Sequence, residues 1–186
     1  MSVTDVGRTI TIRPRRTSDL PGLVALLGEQ QAASRYPLRW PLPFPVERFL
    51  VRSTEEHAWV AEAGGVLAGH VAVTTPDGEL AEAFARAYPG PSTAEVSVLF
   101  SGSAFRGSGV GGLLLDTAVA AIRDSGRTPA LDVLPAHSSA VAVYRHRGWV
   151  EVGRARPAWL PTEQPDVLLM VLPDVMVLPD VVGPVR

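Results

Sequence analysis

The amino-acid sequence contains no cysteine, and none of its apolar runs is long enough to cross a membrane. Without cysteine there is no disulfide framework, no thiol nucleophile and no zinc site with Cys ligands. The short apolar runs argue against a transmembrane helix, and the N-terminus lacks the long apolar core of a secretion signal. We therefore expect a cytoplasmic protein.

The chain also lacks a strong excess of charge of either sign. Its formal net charge is −2, with 46% hydrophobic and 19% charged residues over 186 positions, which is typical of one globular domain. This charge gives no general attraction to nucleic acid or to an anionic membrane surface, so we expect neither as a partner. His57, His70 and His146 are not spaced like metal ligands, and we expect no metal.

The most informative segment is rich in glycine and lies between two apolar segments. It consists of Arg106, Gly107, Ser108, Gly109, Val110, Gly111 and Gly112. Residues 96–100 before it favour a strand, and residues 110–122 show helical periodicity. A strand, a glycine loop and a helix in this order direct several backbone N–H groups towards one point, at the positive end of the helix dipole. The segment therefore predicts a site for a phosphate or pyrophosphate.

Three glycine-loop chemistries compete for this segment. A Walker-type loop needs Lys and then Ser or Thr after its last glycine, whereas Leu113 follows Gly112. Gly107, Gly109 and Gly112 also match the dinucleotide pattern G-x-G-x-x-G, with Asp132 in a later apolar strand as the ribose-binding acid. That match stands alone, and the chain after it is too short for two mononucleotide-binding halves. A nucleotide-binding oxidoreductase stays as an alternative.

The third pattern, Arg/Gln-x-x-Gly-x-Gly/Ala, is met by residues 106–111, and here the chain resembles the GNAT superfamily of acyl-CoA-dependent N-acyltransferases. Residues 140–149 resemble the family's A-x-x-x-Y-x-x-x-G-F helix and turn, with Trp149 in place of Phe. Further segments resemble the family's first, fourth and fifth strands, at residues 10–14, 98–101 and 130–134. These motifs occur in the family's order, and the resemblance extends to about residue 153.

The resemblance implies an α/β fold with one mixed, mostly antiparallel, twisted sheet of six to seven strands and helices on both faces. A single domain would cover residues 8–172, and residues 173–186 would form a C-terminal tail. The implied activity is transfer of an acetyl group from acetyl-CoA to a primary amine of a small molecule or peptide, directly within a ternary complex. The alternative is a non-catalytic module that binds acyl-CoA and regulates a partner. Dimers are common in the family, so the resemblance allows a homodimer.

The resemblance also assigns site residues. Besides the glycine segment, the cofactor-binding residues would be Leu99, Phe100, Ser101, His137 and Ser139. The family often has Asn at the position of His137, where it contacts pantetheine, so this histidine departs from the pattern. It can make a similar hydrogen bond, act as a base, or simply lie at the helix entry.

Two residues are candidates for proton transfer. Tyr144 aligns with the family tyrosine that protonates the CoA sulfur, and its alternative is an aromatic core residue. Glu95 begins the predicted fourth strand and by alternation shares a face with Ser97 and Leu99. A carboxylate there can accept the proton of the amine, and the alternative is a solvent-exposed glutamate at a strand end.

The acceptor pocket is implied to involve residues 30–52, 79–88 and 157–159, where Tyr36, Trp40, Phe44 and Trp159 form an aromatic wall or pack the proline-rich connection. Elsewhere, residues 1–7 are expected to be a loose leader. Thr17 or Ser18 is expected to cap the first helix. The sequence Val-Leu-Pro-Asp-Val occurs at 171–175 and again at 177–181, and we interpret it as a tail.

Overall fold

The computed structural model describes residues 2–5 and 8–173. Within these residues eight strands form one sheet, in the spatial order β1-β2-β3-β4-β5-β6-β8-β7. Neighbouring strands are antiparallel except for the parallel pair of β5 and β6. The strands are β1 Ser2–Asp5, β2 Arg8–Pro14, β3 Glu55–Ala63, β4 Val66–Thr74, β5 Thr93–Ser101, β6 Thr128–Val133, β7 Val150–Ala155 and β8 Val167–Val171.

Helices cover both faces of this sheet. The α-helices of the described part are α1 Leu20–Ser34, α2 Val46–Leu50, α3 Gly78–Ala87, α4 Val110–Asp124 and α5 Ser138–His146. Alternate residues of β8 separate the two faces: Leu168 and Met170 pack in one buried cluster with α4 and α5, whereas Leu169 and Val171 pack with α3. The expected mixed α/β fold is thereby confirmed.

The parallel pair also decides between two interpretations of the glycine segment. A dinucleotide-binding fold of the doubly wound type has a mostly parallel sheet. Here β5 and β6 are the one parallel pair among the described strands. The nucleotide-binding oxidoreductase suggested by Gly107, Gly109 and Gly112 is therefore wrong.

Two local expectations are also wrong. The sheet has eight strands in the described residues rather than six to seven, because Ser2–Asp5 pairs with β2 where the sequence predicts a loose leader. An edge strand of this kind is held by backbone hydrogen bonds and needs no apolar alternation.

Neither Thr17 nor Ser18 caps the first helix through its side chain. Instead the Asp19 carboxylate accepts the Arg16 N–H at 2.7 Å.

Gly64 and Gly65 form the turn that joins β3 to β4, and helix α3 lies between β4 and β5. In the described part of the chain, no helix combines the length and apolar character that a membrane crossing requires. The second copy of the Val-Leu-Pro-Asp-Val repeat lies outside the described residues.

Candidate active site

Strands β5 and β6 separate part-way along their length. They pair only through three positions, ending at Glu95 opposite Ala130. Beyond this point β6 continues to Val133 in register with β8, while residues 96–101 of β5 are paired with β4 alone among the described strands. A V-shaped gap therefore opens between β5 and β6, with Glu95 at its vertex and unpaired backbone groups of β5 along one side.

A bulge in β5 lies within this gap. Val98 has a φ of +50°, and the pairing of β5 with β4 slips by one residue there. Val96 and Leu99 consequently both pack in the cluster of α4, whereas Val98 packs with α1. The expectation that Glu95 and Ser97 share a face with Leu99 is wrong, because the bulge reverses the alternation between Ser97 and Leu99.

A buried histidine supports the bulge. His70 of β4 is fully buried, and its Nδ1 lies 3.0 Å from the Val98 carbonyl oxygen. Its Nε2 lies 3.2 Å from Arg15 Nη1, and the same guanidinium binds Glu55 at 2.6 Å and the Leu50 carbonyl at 2.9 Å. Burial and the nearby Arg15 charge lower the pKa of His70 to about 4. The ring is therefore neutral, with Nε2 accepting from Arg15 and Nδ1–H donating to Val98.

The glycine segment lies at the open end of this region, at the N-terminus of α4. Gly109, the residue before the helix, has a φ of +86°, a conformation that favours glycine. The backbone N–H groups of residues 109–112 donate to no acceptor within the described part of the chain, as expected for a first helical turn. Arg106 is exposed and forms no ion pair with a described residue. These groups fit a pyrophosphate.

Two of the residues predicted to bind the cofactor, Ser108 and Gly112, contact other parts of the protein. The Ser108 hydroxyl donates to the Phe105 carbonyl at 2.6 Å, which fixes the turn of the loop. A Cβ at Gly112 would lie 2.8 Å from Arg147 Nη2, and Arg147 binds Asp116 of α4 at 2.6 Å. Gly112 therefore leaves room for this arginine of the α5 turn. Gly107, Gly109 and Gly111 instead border open space.

Glu95 is a buried carboxylate beside a second one. It is 8% exposed, and its Oε1 has no hydrogen-bond partner within the described residues. Asp132 lies two residues after Ala130, the partner of Glu95, and therefore shares its face of the sheet. Burial and then the charge of Asp132 raise the pKa of Glu95 well above its ordinary value. The alternative of a solvent-exposed strand-end glutamate is thus excluded.

Tyr144 lies on α5, on the β6 side of the gap. Its half-buried ring packs 5.7 Å from the ring of Trp149. Burial and the charge of Asp132 raise the pKa of Tyr144 to about 12, so the hydroxyl keeps its proton at neutral pH. The charge of Asp132 therefore raises the pKa values of both Tyr144 and Glu95. The two residues predicted to transfer protons thus both lie near Asp132.

Tyr36 joins these groups from the connection between α1 and α2. Burial raises its pKa, and the charges of Asp132, Glu95 and Arg52 act on it as well. Its ring lies 6.3 Å from that of His137, nearly perpendicular to it, and burial lowers the pKa of His137. Of the four aromatic residues expected to form a wall of the acceptor pocket, Tyr36 lies near Glu95, Asp132 and His137. The other three members are exposed, Trp40 by 36%, Phe44 by 40% and Trp159 by 54%.

The remaining predicted cofactor residues occupy ordinary positions. Leu99 and Ser101 are partly buried, and Phe100 is buried and packs in the α1 cluster 5.7 Å from the His70 ring. His137 precedes the first residue of α5 but does not cap it through its side chain, and Ser139 is exposed in the first turn. Sequence reasoning missed His70 and treated Asp132 only as a ribose acid. The available signals were a lone histidine in an apolar segment, for His70, and a lone acid in an apolar segment, for Asp132.

Comparison with known proteins places this arrangement in a family. The model of the acetyltransferase (GNAT) family matches residues 25–149, more than half of the chain. No curated protein sequence gives a significant match. Among solved structures, the ribosomal-protein-S18-alanine N-acetyltransferase of Escherichia coli is 18% identical with a TM-score of 0.63, covering 92% of this chain and 97% of the bacterial one.

Two further solved structures are also similar to this chain in fold. The Corynebacterium glutamicum protein described as histone acetyltransferase HPA2 and related acetyltransferase is 24% identical with a TM-score of 0.65, covering 90% of this chain and 97% of its own. Arabidopsis thaliana Naa50, solved with the bisubstrate analogue CoA-Ac-MVNAL, is 14% identical with a TM-score of 0.61, covering 87% and 97%. These likenesses concern the fold, and the family model concerns descent. The chain belongs to the GNAT acetyltransferase family.

Proposed function

We propose that the protein is an N-acetyltransferase that moves an acetyl group from acetyl-CoA to a primary amine of a small molecule or peptide, directly within a ternary complex. The observation that carries this proposal is the V-shaped gap between β5 and β6. A buried carboxylate, Glu95, lies at its vertex, and a protonated hydroxyl, Tyr144, lies on the helix that follows β6. Glu95 would act as the base and Tyr144 as the acid.

The cofactor would lie along the gap and across the glycine segment. Free N–H groups of residues 109–112 would bind its pyrophosphate at the positive end of α4, with Arg106 adding a charge. On its edge facing the gap, β5 has no partner among the described strands at residues 99–101. Backbone groups there would hold the pantetheine arm by hydrogen bonds. This binding positions the thioester carbon for attack.

The chemistry requires one proton to leave and another to arrive. Glu95, whose pKa is raised by burial and by Asp132, accepts a proton from the incoming ammonium group, directly or through a water. The neutral nitrogen then forms a bond to the acetyl carbon, and the carbon–sulfur bond breaks. Tyr144 donates its proton to the departing sulfur, whose affinity for a proton rises in a desolvated site.

A non-catalytic acyl-CoA-binding module remains the second candidate. The burial of Glu95 favours it, because Oε1 has almost no contact with solvent in this structure. A module of this kind would bind acetyl-CoA tightly and release no thiol with any amine.

The experiment that separates these candidates compares the native chain with Tyr144→Phe. Thiol release from acetyl-CoA is measured with a panel of primary amines, and acetyl-CoA affinity is measured by calorimetry. An enzyme that uses Tyr144 as its acid loses most of its turnover in the variant while the affinity for acetyl-CoA changes little. Equal turnover of the two proteins would remove Tyr144 from the chemistry.

A further inference from the structure

We propose that the acceptor is a zwitterionic amine, with its ammonium group held by Glu95 and Asp132 and an anionic group beside it held by Arg52. This inference rests on the proposed acetyl transfer and names the class of its acceptor. The shared chemistry is a primary amine a few bonds from a carboxylate or another anionic group.

The negative end of this site is the pair of carboxylates on β5 and β6. Glu95 is 8% exposed, and its Oε1 lacks a hydrogen-bond partner within the described residues. Neither Glu95 nor Asp132 forms an ion pair with another described residue. A buried carboxylate oxygen without a donor is costly, so the pair suits a ligand that supplies both positive charge and N–H donors. An ammonium group has three such donors.

The positive end is Arg52, which closely follows α2. Its guanidinium lies over the Phe49 ring, 4.5 Å from the centroid, and that ring packs edge-on against Tyr36 at 5.8 Å. The charge of Arg52 acts on both Tyr36 and Glu95, opposing the rise of their pKa values. Arg52 forms no ion pair with any described residue. It is therefore a positioned cation, near the carboxylates, whose donors are available to an anion.

The surrounding segment favours a zwitterion over a second cation. Residues 35–52 contain four arginines and one acid, Glu47, in a chain whose overall charge is slightly negative. A diamine would meet repulsion from this segment at its outer end. A zwitterion meets opposite charge at both ends, which is the usual source of specificity between charged surfaces.

The test uses matched pairs of small amines with and without a carboxylate. Glycine, β-alanine and 4-aminobutanoate are compared with methylamine, ethylamine and propylamine, and 1,3-diaminopropane represents the dication. Thiol release from acetyl-CoA gives kcat/KM for each. Because hydrogen bonds to charged groups are stronger than those between neutral groups, we expect kcat/KM of at least one amino acid to exceed that of its matched amine and of the diamine by about tenfold or more.

Two variants assign this preference to Arg52. Arg52→Gln should lower kcat/KM for the preferred amino acid by about tenfold or more relative to the matched amine, mainly through KM. Loss of the Arg52 charge near Glu95 affects both substrates alike, so the ratio of their kcat/KM values isolates the contact with the anionic group. Arg48→Gln is the control, because Arg48 is also exposed and also lies over an aromatic ring, Phe44 at 6.0 Å. This control should keep the preference. Thermal unfolding of both variants checks that the fold is retained.

The outcomes separate this inference from the proposed function. Turnover that is fastest with an alkylamine or the diamine, or a preference that Arg52→Gln leaves intact, overturns the zwitterionic acceptor while acetyl transfer stands. Acetyl-CoA binding without thiol release for any amine overturns both.

Discussion

The Nδ1 atom of His70 lies 3.0 Å from the carbonyl oxygen of Val98 and, with a neutral ring, donates a hydrogen bond to it. Val98 is the residue with the positive φ that forms the bulge of β5. A buried side chain of one strand thus holds the irregular backbone of the next, at the gap where we propose that the cofactor lies.

Substitutions of His70 test this relationship. His70→Leu leaves both the Val98 carbonyl and Arg15 without their partner, so we expect a loss of about 1–3 kcal/mol in the free energy of unfolding and a higher KM for acetyl-CoA. Asn places an amide N–H close to the position of Nδ1, so His70→Asn should recover the KM but not all of the stability. Urea unfolding and steady-state kinetics measure the two effects. Native KM values in both variants would show that the bulge needs no such support.

Glu95→Gln tests the assignment of the base. If Glu95 accepts the proton of the amine, its titration produces the acid limb of the pH–rate profile, because a protonated carboxyl cannot act as a base. Glutamine cannot titrate, so that limb should flatten and the rate should fall. Glu151→Gln, a change at an exposed ion pair, serves as the control. An acid limb that is the same in the Glu95 variant and the native protein removes Glu95 as the base.

The same substitution should stabilise the protein at neutral pH. The folded-state pKa of Glu95 lies above its unfolded value, so the unfolded chain releases this proton at a lower pH than the folded one. The contribution of the Glu95 carboxyl to stability is therefore fully present below the pKa that it has in the unfolded chain. This contribution is lost as the pH rises through the pKa of Glu95 in the folded protein. We expect Glu95→Gln to have a higher Tm than the native protein at pH 7 and a similar Tm at pH 4. A lower Tm at pH 7 would contradict the unpaired burial of this carboxylate.

Asp19 provides the opposite case. Its carboxylate binds the Arg13 guanidinium through two contacts of 2.8 Å, and this pairing lowers the pKa of Asp19 to about 2. The depressed pKa contributes about 2 kcal/mol of stability that is present above the unfolded pKa and lost as pH falls from about 4 to about 2. Asp19→Asn should lose about this amount at pH 7. A difference in unfolding free energy that does not shrink towards pH 2 would assign its effect to packing instead.

The sequence predicted the elements whose side chains repeat with a clear period. Helix α4 follows from apolar periodicity, and the hairpin of β3 and β4 follows from two glycines between apolar runs. The phosphate site at the glycines before α4 stays a prediction. The strand Ser2–Asp5 was not predicted, because backbone groups make its pairing with β2 and side-chain patterns do not reveal such pairing. The bulge at Val98 escaped because a β-branched residue gives no signal for positive φ. Asp132 escaped as a partner of Glu95 because the register of two parallel strands cannot be read from either strand alone.

Calorimetric titration of the purified protein with acetyl-CoA tests whether the gap and the glycine segment bind the cofactor, with NADH titrated in parallel as the control. We expect a micromolar dissociation constant for acetyl-CoA, equivalent to about −8 kcal/mol, and no heat from NADH. No binding of acetyl-CoA would mean that the free N–H groups of residues 109–112 and the gap between β5 and β6 do not form a cofactor site.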